Sequence, residues 1–128
     1  MYYQQEVTVP ANTTEAACTR TTLKLTKGLI TGVYIFLPPG SCGLLHFQAY
    51  DKGWTIVPFN PTEDIHGDNI DILLHYNYPL VEEPFEIVVR AWNDDDSYEH
   101  SYIMGFEMTE GEVDTSMLDF LKKLKEAM

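Results

Sequence analysis

Basic residues are scarce in this sequence: eight Lys and Arg stand against twenty Asp and Glu in 128 residues, a formal charge of −12. Such a field repels phosphate backbones, and with no local basic patch to offset it, DNA and RNA are discounted as ligands. Long apolar runs are missing as well. The run Val33 to Leu37 ends at Pro38, far short of the roughly 20 residues that cross a bilayer as a helix, so a membrane span is excluded. The opening residues MYYQQEVTV lack a basic stretch followed by an apolar core, and no secretory signal is expected. Cysteine is limited to Cys18 and Cys42, too few and too far apart for a metal knuckle of the CxxC kind. One disulfide between them is open, but without a secretory route the preferred reading is two unpaired small apolar side chains.

Catalytic signatures are equally thin. No phosphate-cradling GxxxxGK[ST] is present, and Gly40-Ser41-Cys42-Gly43 brings a hydroxyl and a thiol together without matching a GxSxG elbow, so it reads as a turn. His46, His66, His75 and His100 show no HxH or HxxxH spacing, and each is expected to be a strand or loop residue rather than a zinc ligand. The expectation is a protein with no catalytic residues, no cofactor and no metal site, and not an enzyme.

What the chain does contain is alternation. Hydrophobic residues make up 45% and aromatic residues 12%, enough for one packed core. Tyr3, Gln5, Val7 and Val9 alternate with polar neighbours, and so do Leu23 and Leu25. Leu29 to Leu37 places Val33, Ile35 and Leu37 on one side and Tyr34 and Phe36 on the other, with Gly32 marking a bulge or a close backbone approach. Pro38-Pro39-Gly40 ends that run. Leu44 to Tyr50 and Trp54 to Val57 flank Asp51-Lys52-Gly53, a hairpin. Further strands are expected at Ile70 to Tyr76, stopping near Asn77-Tyr78-Pro79, at Phe85 to Trp92, and at Tyr98 to Met108.

Eight strands separated by turn signals predict an all-β, antiparallel β-sandwich with jelly-roll topology. An immunoglobulin-like sandwich loses ground because Trp54 and Trp92 both follow Cys42, where a Cys-Trp-Cys core needs Trp between the cysteines. After Gly111 the period changes. Met117, Leu118, Phe120, Leu121, Leu124 and Met128 predict a C-terminal amphipathic helix. The expected organisation is a sandwich at 1–113 and a helix at 114–128, packed on its own domain or on a neighbouring subunit, with those six apolar residues as the partner-binding candidates.

The acidic excess is uneven, which directs attention to the second half. Residues 60–113 hold fourteen acids and one basic residue, Arg90, whereas residues 1–59 hold three acids and four basic residues. Within the turn-rich stretch PFNPTEDIHGDN, Asp64, His66 and Asp68, with Asp71 after them, invite a calcium reading, but the spacing of an EF-hand is missing. Trp54, Tyr50, Tyr76, Tyr78 and Trp92 are candidates for a sugar-stacking platform; core filling is the competing reading.

The run LTKGLITGVYIFLPPGSCGLLHFQAYDKGW, continued by NPTEDIHGDNIDI and AWNDDDSYEHSY, resembles small β-sandwich virion proteins encoded by tailed phages and related uncultivated viruses. The likeness covers most of residues 1–108 and leaves the helix outside. It implies a structural protein of the particle, a capsid decoration, head-fibre or tail-associated subunit, made in the host cytoplasm and located in the virion. Its implied partners are copies of itself and a viral shell or tail protein, through symmetric contacts, and no catalytic residue carries over. The alternative class is a carbohydrate- or calcium-dependent binding module of β-sandwich fold.

Overall fold

The computed structural model describes residues 1–109 and 122–127. Eight strands follow in order: β1 (Tyr2–Val9), β2 (Thr19–Lys24), β3 (Gly28–Leu37), β4 (Leu45–Asp51), β5 (Trp54–Val57), β6 (Ile70–Leu80), β7 (Glu86–Asn93) and β8 (His100–Thr109). They form two four-stranded antiparallel sheets, ordered β1-β8-β3-β6 and β2-β7-β4-β5. Each β3-to-β4 or β7-to-β8 connection passes from one sheet to the other, and the result is the jelly-roll order of two interleaved Greek keys. A short helix occupies residues 122–127.

The core lies between the sheets and follows from period-2 alternation. β3 contributes Ile30, Val33, Ile35 and Leu37, and β8 contributes Tyr102, Met104, Phe106 and Met108. From the other sheet come Leu45, Phe47, Ala49, Ile56, Ile87, Val89 and Ala91. Phe47 and Tyr102 stack across the gap with ring centroids 4.1 Å apart and planes 4° from parallel, joining the sheets near their middle. Each buried Val, Leu, Ile, Phe or Met among them stabilises the fold by about 1.5–3 kcal/mol relative to exposure. Ile30 and Val33 have opposite parity, yet both point inward. The register shift between Ile30 and Gly32 makes this possible, because a bulge inserts one residue and reverses which face the following residues occupy.

Two local expectations need adjustment. β6 runs past Asn77-Tyr78-Pro79 to Leu80, with Pro79 paired to Leu29. β6 is an edge strand, so proline's missing N–H interrupts no ladder on its far side. Leu25 falls outside β2, although its amide still donates to the Phe85 carbonyl at 2.8 Å. The Lys52-Gly53 hairpin closes in two residues with both φ angles positive, 49° and 90°, as a tight primed turn demands. Cys18 and Cys42 are both free thiols.

Candidate functional site

The site begins with a strand edge that β5 leaves open. β5 pairs only with Ala49, Tyr50 and Asp51 of β4, so the backbone of Phe47 would lack a partner on that side. The connection between β5 and β6 folds back to fill the place. The Phe47 amide donates to the Ile65 carbonyl at 3.0 Å, and the Ile65 amide donates to the Phe47 carbonyl at 2.9 Å. Gln48 secures the same loop, its Nε2 donating to the Glu63 carbonyl at 2.5 Å and lying 3.3 Å from that of Pro61.

This one bridge decides which side chains meet. Phe47 and Ile65 point toward the core, so their chain neighbours point the other way. His46 on β4 therefore shares the outer face of the sheet with Asp64 and His66 of the loop. Asp64 Oδ1 lies 2.7 Å from His46 Nδ1 and 2.9 Å from His66 Nδ1. His46 and His66 have ring centroids 5.0 Å apart. One ligand atom from each of the three residues falls within 4.8 Å of the others, close enough to surround a single metal ion. The side chains of His46 and Asp64 are 19% and 23% exposed, and that of His66 is 52% exposed, so the group has a covered side and an open one.

β7 supplies the support. Trp92 is the register partner of His46, and the two rings stack at 5.5 Å with planes 9° from parallel. Arg90 places its guanidinium carbon 5.0 Å from the Trp92 ring centroid, a cation–π contact. Just past β7, Asp94 Oδ2 lies 3.2 Å from His46 Nε2. His46 is thus hydrogen-bonded at Nδ1, has a carboxylate beside Nε2 and is stacked on one ring face.

The other acidic residues of the loop have separate work. Asp68 Oδ1 accepts the Gly40 amide at 2.8 Å and the Cys42 amide at 3.1 Å; these hydrogen bonds, that of Cys42 foremost, hold its carboxyl below the usual carboxylate range. Ser41 donates to the Gly67 carbonyl at 2.8 Å, so the Ser41-Cys42 pair belongs to a turn. Asp71 accepts from the Tyr34 hydroxyl at 3.2 Å. Of the four residues of the calcium reading, Asp64 and His66 meet, whereas Asp68 and Asp71 do not join them, because the Gly67–Asn69 corner sends these two to other neighbours. Asp95 accepts the Ser97 amide at 2.9 Å, which is the chief cause of its lowered pKa, and pairs with His100 Nε2 at 2.7 Å. His75 stands apart, on β6 opposite Gly32.

The five aromatics of the sugar-platform reading fall into two groups: Trp54, Tyr76 and Tyr78 gather around Phe59, whereas Tyr50 and Trp92 both contact Arg90. Trp92 is buried, Tyr50 donates to Gln48 Oε1 at 2.7 Å, and Tyr76 stacks on Phe59 at 5.1 Å. Trp54 and Tyr78 line a groove with Thr55, Ile56, Phe59 and Leu124. Among the helical candidates Leu124 is described and is 42% exposed, whereas Met117, Leu118, Phe120, Leu121 and Met128 lie outside the described residues.

The class that fold and site define is a jelly-roll β-sandwich carrying an imidazole–carboxylate cluster on one outer sheet face. No family model matches the chain, and no curated protein matches it. Solved structures with some likeness include Fe(II) HppE, at 8% identity and a TM-score of 0.42 over 83% of this chain and 43% of that one. Hydroxypropylphosphonic acid epoxidase from S. wedmorenis in complex with fosfomycin shows 8% identity and a TM-score of 0.41, over 81% and 42%. Infectious bursal disease virus Gx strain shows 11% and 0.37, over 88% and 34%. The chain spans less than half the length of each, and none of these likenesses bears on substrate or partner. The expectation of a protein with no metal site and no enzymatic chemistry is nonetheless withdrawn, because His46, Asp64 and His66 lie close enough together to hold a metal ion. The histidines had been read as isolated for want of close spacing. Of the four, His46 and His66 come together through a non-local backbone bridge, and the local trace of it is the Asp64-Ile65-His66 alternation.

Proposed function

We propose that this chain is a structural subunit of a virion, a jelly-roll module that works through repeated contacts with copies of itself and with a shell or tail protein. The observation that carries the reading is the outer face of the β1-β8-β3-β6 sheet. Leu73 lies mid-strand on β6 and is 63% exposed. Its register partner is Tyr34, which in turn pairs with Gly105. A Cβ on Gly105 would fall 1.9 Å from the Tyr2 hydroxyl, so the missing side chain is what lets the Tyr2 ring lie flat across β8 toward Tyr34. Ile103 and Phe36 pair on the next row of the same face. An apolar and aromatic strip of this kind on an otherwise acidic protein supports the reading of a protein–protein contact, and the resemblance of the sequence to small virion proteins supplies the kind of partner.

Size-exclusion chromatography with light scattering tests the reading. An oligomer, or a monomer that binds a shell or tail protein of the same particle, supports it; a strict monomer that binds neither sinks it. Removal of residues 114–128 separates the roles of face and helix: assembly through the sheet face survives the truncation. The proposed contact face and the His46 cluster lie on opposite sheets, so one subunit can use both.

A further inference from the structure

We propose that His46, Asp64 and His66 bind one divalent first-row transition ion on the outer face of the β2-β7-β4-β5 sheet, with Asp94 as the residue that positions His46. The donors select the class of ion. Two imidazole nitrogens and one carboxylate oxygen within 4.8 Å of one another suit zinc, iron, cobalt or nickel, whereas calcium and magnesium require shells of oxygen. Ligand atoms around such an ion stand about 3 Å apart, given metal–ligand bonds of about 2.0–2.2 Å. The Asp64 oxygen already sits 2.7 and 2.9 Å from the two imidazole nitrogens, so only a slight spreading of the group admits the ion.

Asp94 provides the second, independent observation. A neutral imidazole carries one N–H. When an ion takes the His46 Nδ1 lone pair, the remaining N–H stands on Nε2, and Asp94 Oδ2, 3.2 Å away, is the carboxylate within its reach. A carboxylate on the far nitrogen is the usual outer partner of a metal-bound histidine, fixing its tautomer and raising its basicity. Trp92 braces the ring on one face. Charge agrees: two neutral imidazoles with Asp64 and Asp94 total −2, which a divalent cation cancels. Three protein ligands leave coordination positions free on the side where His66 is exposed, and water or an external ligand completes them.

The experiment titrates the full chain with Zn2+ by calorimetry and with Co2+ by visible absorption, alongside His66→Ala, Asp64→Asn, Asp94→Asn and, as a control on the opposite sheet, His75→Ala. The expected result is one ion per chain, loss of at least about 100-fold in affinity for His66→Ala and Asp64→Asn, a loss of about 10–100-fold for Asp94→Asn, and no change for His75→Ala. Co2+ should give the d–d bands of a nitrogen- and oxygen-ligated ion, and Asp94→Asn should shift them while leaving the stoichiometry at one. His66 is half exposed, so His66→Ala is expected to fold, and circular dichroism of each variant verifies that. Absence of binding by the wild type, or wild-type affinity in folded His66→Ala, overturns the proposal and leaves a hydrogen-bonded imidazole–carboxylate cluster only.

Discussion

His46 and Trp92 face each other across β4 and β7 as register partners, their rings 5.5 Å apart and 9° from parallel. The pair ties the outer face of one sheet to the loop that crosses it, because His46 reaches Asp64 and Trp92 lies under Arg90. Stability and site geometry therefore depend on the same indole.

Trp92→Ala removes a buried aromatic and should destabilise the protein by about 3–5 kcal/mol. Trp92→Phe keeps a ring beneath His46 and should cost less than half as much. Urea denaturation followed by circular dichroism measures both, and equal losses for the two variants would contradict the stacking role.

The two members of the core stack should respond differently. Phe47→Ala should cost about 3–5 kcal/mol, since the ring is fully buried and joins the sheets. Tyr102 carries a hydroxyl buried without a hydrogen-bond partner, and Tyr102→Phe removes that unsatisfied group while keeping the ring. The variant should be neutral or slightly more stable by the same assay.

Acid should loosen the loop end of the sandwich. Asp68 and Asp95 both have folded-state pKa values lowered by backbone amides, those of Cys42 and Ser97 respectively. A depressed pKa means that the stabilisation is fully present above the unfolded value of about 3.9 and is lost as pH falls through the folded value. Wild-type stability should thus be insensitive to these groups at neutral pH and decline below about pH 4. Asp68→Ala, measured by denaturation between pH 2 and 7, should be weaker at neutral pH and show a shallower acid decline.

Gln48 is the clamp on the loop that presents Asp64 and His66, through its bonds to the carbonyls of Glu63 and Pro61. Gln48→Ala should cost about 1–3 kcal/mol. It should also speed hydrogen exchange at the Phe47 and Ile65 amides, while the β3–β8 ladder stays protected.

The strands were legible because alternation is a local signal: Val33, Ile35 and Leu37, or Tyr102, Met104 and Phe106, announce a buried face without any knowledge of partners. The bulge at Gly32 and the Lys52-Gly53 turn were legible for the same reason, each resting on what one residue's backbone permits. β6 was cut short because Pro79 reads as a stop until its place on a sheet edge is known. The cluster was half visible. Asp64 and His66 stood out in the sequence, but they were grouped with Asp68 and Asp71, their neighbours in the chain. Their actual companions, His46 and Asp94, arrive through the Phe47–Ile65 bridge and the β7–β8 connection, which no local spacing encodes.

The central claim is that the outer face of the β1-β8-β3-β6 sheet is a contact surface, and sedimentation equilibrium of wild type beside Leu73→Glu tests it most directly. Leu73 is solvent-exposed in the single subunit, so the substitution should leave folding intact, within about 0.5 kcal/mol, while placing a charge in the contact. The wild type is expected to associate, and the association of the Leu73→Glu variant is expected to be weakened at least tenfold. A wild type that is monomeric at every concentration and binds no particle protein, or an assembly that Leu73→Glu leaves unchanged, would contradict the claim.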